Sequence, residues 1–134
     1  MDYINVDVGY DLIKKFIESF GEFHEVKIER KDQVLNIILT SKIMGFMKIP
    51  ISIKFKLKHT QSFPEDPVIF SIDAMSMIKK IIKDHSGGIF EYDGDELRIF
   101  PHKITPFLRK FVIFDINFKD EMVSMKLKPY MAGA

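Results

Sequence analysis

The sequence predicts an α+β fold in which a curved antiparallel sheet, made of a meander and hairpins, packs on two amphipathic helices. Three observations point there. Long runs alternate apolar and polar residues with a period of two, most cleanly from Ile49 to Lys58. Two other segments carry apolar residues at helical spacing, over arcs of roughly 160° against the ~100° stripe of an ordinary surface helix. An Asp93-Gly94 pair sits between two further alternating runs, the chemistry of a type I′ hairpin turn.

Taken in order, a first helix is expected from Val8 to Phe20. Tyr10, Leu12, Ile13, Phe16, Ile17 and Phe20 are apolar, Asp11, Lys14, Lys15 and Glu18 hold the other side, and Gly21 is a suitable terminator. Val26 and Ile28 alternate with Lys27 and Glu29 as a strand, Lys31-Asp32 turns the chain, and Leu35, Ile37 and Leu39 face one way on the next strand. Met44-Gly45 reads as a turn. In the run that follows, Ile49, Ile51, Ile53, Phe55 and Leu57 alternate with Lys48, Pro50, Ser52, Lys54, Lys56 and Lys58, and Pro50, which cannot donate to a ladder, marks an edge position or a bulge.

Gln61 to Pro67 is a loop. Val68, Phe70 and Ile72 form a short strand running into a second helix from Ser71 to His85, capped by Ser71 or Asp73. Ala74, Met75, Met77, Ile78, Ile81 and Ile82 make its wide apolar face. Gly87-Gly88 ends it, a hairpin spans Ile89 to Phe100, and Thr105-Pro106 starts a short helical turn reaching Arg109. Phe114, Ile116 and Phe118, then Val123, Met125 and Leu127, supply two closing strands. With no repeat, linker or low-complexity tract, the 134 residues read as a single domain, 1–134.

Composition narrows the function. A hydrophobic fraction of 46% with 29% charged residues is that of a soluble globular protein, and a net charge of +1 argues against nucleic acid as partner. The absence of cysteine excludes disulfides and thiolate chemistry. The start of the chain lacks the pattern of a signal peptide and no run is long enough to span a membrane, so a cytoplasmic protein is expected. Thirteen Phe and eight Met without any Trp suit either a plain core or an adaptable apolar cavity.

The run Phe70-Ser71-Ile72-Asp73 into a helix, then Gly94-Asp95-Glu96-Leu97-Arg98-Ile99, Val112-Ile113-Phe114-Asp115-Ile116 and Val123-Ser124-Met125-Lys126-Leu127, resembles a short bacterial single-module member of the TULIP (tubular lipid-binding) superfamily. The resemblance lies in the pattern of elements and pins no individual residue. It implies a long helix wrapped by a highly curved sheet, with acyl chains held in the seam.

No motif names a reaction: there is no HExxH, nucleophile elbow or phosphate loop, and His24, His59, His85 and His102 are too scattered for a metal site. Glu91, Asp93, Asp95 and Glu96 lack calcium-loop spacing. The expectation is a protein that is not an enzyme, uses no cofactor, and binds an apolar small molecule or lipid. Phe55, Leu57, Met75, Met77, Ile78, Ile81, Ile82, Phe114 and Phe118 are the expected lining. The apolar turn with Met44, Phe46 and Met47 and the lysine row Lys54, Lys56 and Lys58 are candidates for contact with a partner or a transient membrane surface, against a bland role as core cover and solvated sheet face. The alternative is a protein–protein module that forms a homodimer through the same apolar surface.

Overall fold

The computed structural model describes residues 2–19, 23–41 and 50–131. Met44, Phe46 and Met47, the expected contact turn, lie outside the described residues. The elements run β1 (Ile4–Gly9), α1 (Tyr10–Glu18), β2 (Phe23–Lys31), β3 (Val34–Ser41), β4 (Pro50–His59), β5 (Val68–Asp73), α2 (Ser76–Asp84), β6 (Phe90–Asp93), β7 (Glu96–Ile99), α3 (Pro101–Ile104), a 3₁₀ turn (Pro106–Lys110), β8 (Phe111–Phe118) and β9 (Met122–Pro129). The fold is α+β and mostly antiparallel strand, in two open sheets: three strands ordered β1-β9-β8, and six ordered β2-β3-β4-β5-β7-β6.

Along β4, Ile51 and Ile53 are buried while Lys54, Lys56 and Lys58 are exposed, as period-two alternation requires. The same inner face continues through Leu35, Ile37 and Leu39 on β3 and Val68 and Ile72 on β5. Two different covers share it. At one end Leu57, Phe70 and Val68 pack with Ile113, Ile116 and Leu127 of the smaller sheet. At the other, Ile37, Leu39, Ile51, Ile53 and Ile72 meet Ile17 of α1 and Ile78, Ile81 and Ile82 of α2. Tyr10, Leu35 and Phe118 join the two regions.

Several expectations need correcting. Val8 is in β1, whose register runs from Ile4 opposite Leu127 to Gly9 opposite Met122, so α1 begins only at Tyr10. Ser71 and Asp73 complete β5, because Ser71 is held between Lys56 and Glu96 and Asp73 pairs Lys54. The second helix is therefore nine residues long and starts after Met75, with no side-chain cap. Pro50 is the first residue of an internal strand; the β5 ladder starts only at Lys54, so its missing donor costs no bond on that side. Gly87 and Gly88 do terminate α2, with φ of 121° and 67° that favour glycine.

The two sheets are joined by glutamine side chains. Gln61, buried in its loop, accepts from the Ile113 N–H at 2.9 Å and donates to the carbonyls of Pro64 and Asp66 at 3.2 and 2.7 Å. Gln33 does the same for Phe118, accepting from its N–H at 3.1 Å and donating to its carbonyl at 3.3 Å. The open edge of β8 is thus satisfied at two points without a further strand.

Candidate functional site

Between α1, α2 and the inner face of the six-stranded sheet lies a cavity of about 600 Å³. Phe16 and Ile17 line it from α1, and Ile78, Ile81, Ile82 and His85 from α2 and its C-terminus. The floor is Ile37, Leu39, Ile53, Phe55, Ile72, Leu97 and Ile99, and Gly87, Ile89, Phe90 and Ile104 complete the lining. Each inward position follows from strand alternation or from the α2 face that buries Ile78. Every lining side chain except that of His85 is apolar. The His85 Nδ1 lies 2.9 Å from the Ile81 carbonyl, an arrangement in which Nδ1–H donates and the ring is held at the helix end.

Of the residues expected from sequence to form the lining, Phe55, Ile78, Ile81 and Ile82 come together here. The other five lie elsewhere. Leu57 faces the same way as Phe55 but under the smaller sheet. Met75 precedes α2 and is 57% exposed, and Met77, next to the buried Ile78 on the helix, is 41% exposed. Phe118 stacks on Phe70, with centroids 6.3 Å apart, in the cluster that joins the sheets. Phe114 meets Tyr3 edge-on at 6.0 Å with the Lys128 ammonium 5.6 Å from its ring; a register shift between Ile113 and Asp115 puts Ile113 on the face of Ile116 and Phe118 and leaves Phe114 off it.

The sequence reading missed the contributions of the β6–β7 hairpin, α3 and α1. The signal was present in the alternation of Phe90, Leu97 and Ile99, which share the phase of Tyr92, a buried core residue. Lys54, Lys56 and Lys58 lie on the opposite face of the sheet from the cavity, and Lys58 is paired with Glu96 at 2.5 Å.

Electrostatics around the cavity are sparse. The Lys58 hydrogen bond holds the Glu96 carboxyl below its ordinary value, and Asp95, 2.6 Å from the Lys79 ammonium, raises that lysine. Burial pushes the Tyr92 hydroxyl up, and among the described residues neither that hydroxyl nor the Nδ1 of buried His102 finds a hydrogen-bond partner. Among the described residues no group of three or more His, Asp or Glu side chains could hold a metal ion, and no helix is long and apolar enough to cross a membrane. Comparison with known proteins adds no relative: no family model, no curated protein and no solved structure matches this chain.

Proposed function

We propose that this protein binds an apolar ligand, a fatty acid or the acyl part of a phospholipid, between its helices and its sheet, and carries it without chemistry. The observation behind this reading is the cavity of about 600 Å³, within the 300–1,000 Å³ usual for small-molecule sites, with His85 as the one polar side chain that lines it among the described residues. A lining without fixed charges selects by apolar area. At ~25 cal/mol per Å² a ligand gains about 2.5 kcal/mol for each 100 Å² hidden, and association costs at least ~4 kcal/mol, so the occupant must be of acyl-chain size.

In this reading the sheet curves around the apolar faces of α1 and α2, and the likeness to tubular lipid-binding modules belongs to the same proposal, with one difference. The helix of such modules is long, whereas α2 has nine residues. A cytoplasmic carrier taking up lipid transiently from a membrane fits it. Leu12 and Phe16, each 63% exposed, favour the homodimer as the second reading.

Native mass spectrometry after gentle purification, followed by titration with fluorescent fatty acids of several chain lengths, tests the proposal. A co-purified lipid or saturable probe binding is expected. Absence of both would end the carrier reading, and a dimer that dissociates on Phe16→Asp without any lipid would favour the second.

A further inference from the structure

Among the described residues five are lining and exposed at once: Phe16, His85, Gly87, Ile89 and Ile104. They therefore form the mouth of the cavity. Leu12 lies one turn before Phe16 on the same side of α1 and is equally exposed, which extends the apolar rim beyond the cavity itself. A soluble surface seldom leaves several large apolar side chains around an opening into its core.

The helices that carry this rim are basic. With Lys79 set aside in its pair with Asp95, and Asp11 and Lys14 beside a separate hollow against β2, residues 10–19, 76–85 and 101–104 hold Lys15, Lys80, Lys83 and Lys103 against Glu18 and Asp84. We propose that the mouth is a docking surface for an anionic lipid bilayer, so that ligand passes between membrane and cavity without crossing water. This rests on the carrier reading for its purpose but on separate residues for its chemistry. A bilayer accepts apolar side chains among its acyl chains while its anionic headgroups meet the lysines. A second copy placed face to face would set the same excess of lysines against itself, so charge complementarity favours the membrane. The surface also differs from the row Lys54, Lys56 and Lys58, which points away from the cavity.

The test is flotation with phosphatidylcholine vesicles, with and without phosphatidylserine, alongside fatty-acid probe titration of the same proteins. The full chain should float with phosphatidylserine vesicles, and less so in high salt. The double variant Leu12→Glu, Lys83→Glu should lose vesicle affinity about tenfold or more while binding probe as before, since neither residue lines the cavity. The variant Lys54→Glu, Lys56→Glu should float like the parent. Lys103→Glu alone, which leaves the apolar rim intact, guards against a folding defect in the double variant and should weaken flotation. Failure of the parent to float, or undiminished flotation of the double variant, overturns the docking surface and leaves the carrier reading standing. Loss confined to the Lys54, Lys56 pair moves the contact to the other face and overturns it too. Binding of duplex DNA that Lys83→Glu abolishes and Leu12→Glu leaves unchanged would reassign the lysines to nucleic acid. Flotation without any probe binding would instead remove the carrier reading and keep the surface.

Discussion

Replacing Ile82 by Phe asks directly whether the space beneath α2 is real. In a close-packed interior an enlarged side chain forces neighbours off their rotamers at a cost of typically ~1–3 kcal/mol. Ile82 is only partly buried and lines the cavity, so the ring has room to enter it. Hiding on the order of 40 Å² more apolar surface contributes about 1 kcal/mol at ~25 cal/mol per Å², and Phe and Ile have similar helix propensities. The expected result is a stability change between zero and a gain of ~1 kcal/mol, a rise of a few degrees at most in Tm. Val68 is the internal control. It belongs to the adjoining core cluster, is buried and does not line the cavity, so Val68→Phe should cost ~1–3 kcal/mol. Urea denaturation of the three proteins measures both, with the m-value checked for constancy. Equal destabilisation by the two substitutions would refute the cavity, and with it the basis of ligand binding. If the cavity is real, Ile82→Phe should also weaken fatty-acid probe binding, because the ring occupies the ligand's volume.

Other consequences follow from the polar groups. Tyr92→Phe removes a buried hydroxyl with no partner among the described residues and should stabilise the protein by roughly 1 kcal/mol in urea melts; a loss of that size would mean that a group outside them or an ordered water satisfies it. Because burial raises the Tyr92 hydroxyl above its ordinary 10.0, its contribution is complete below that value and is lost as pH rises through the folded-state value. The alkaline arm of the parent's stability profile should therefore be steeper than that of Tyr92→Phe. Glu96 has the opposite sign: its carboxyl is depressed below the ordinary 4.5, so its contribution is present above that value and disappears on acidification. The stability difference between the parent and Glu96→Gln should shrink as pH falls, and a difference independent of pH would show that the Lys58 pair is not felt in solution. Gln61→Ala leaves the Ile113 N–H and the Pro64 and Asp66 carbonyls without their partner and should cost ~1–3 kcal/mol in the same melts.

The elements best read from sequence were those set by local periodicity. The β4 alternation, the Asp93-Gly94 hairpin and the turn from Pro106 all depend on neighbours within a few residues. What was missed depends on distant pairing. The chain of β1 is too exposed to announce itself, and it becomes a strand by lying beside β9 more than a hundred residues later. Ser71 and Asp73 look like helix caps by chemistry, but β4 and β7 hold the segment extended, and tertiary pairing overrides the local signal. The actual caps, Gly9 and Met75, have no side-chain cap bond, so no motif marked either helix start. The same two errors displaced the expected site. Extending α2 back to Ser71 put Met75 on a helix that begins only after it, and uninterrupted alternation in β8 put Phe114 beside Phe118, whereas the irregularity after Ile113 puts it on the Tyr3 side.

Helix length also explains why an opening should exist at all. Nine residues make a helix only about 14 Å long, and six strands span on the order of 24 Å across. The smaller sheet covers the inner face near Leu57 and Val68, so two short helices must roof the remainder, from Leu39 on β3 across to Phe90 on β6. Had α2 run from Ser71 as its apolar pattern suggested, another turn would have been available to fill the gap. Giving that turn to β5 lengthens the sheet and shortens its cover in one step, and the apolar floor left over is the cavity. Within its nine residues α2 therefore presents side chains both down to the sheet and sideways into the cavity, as Ile78 and Ile82 do.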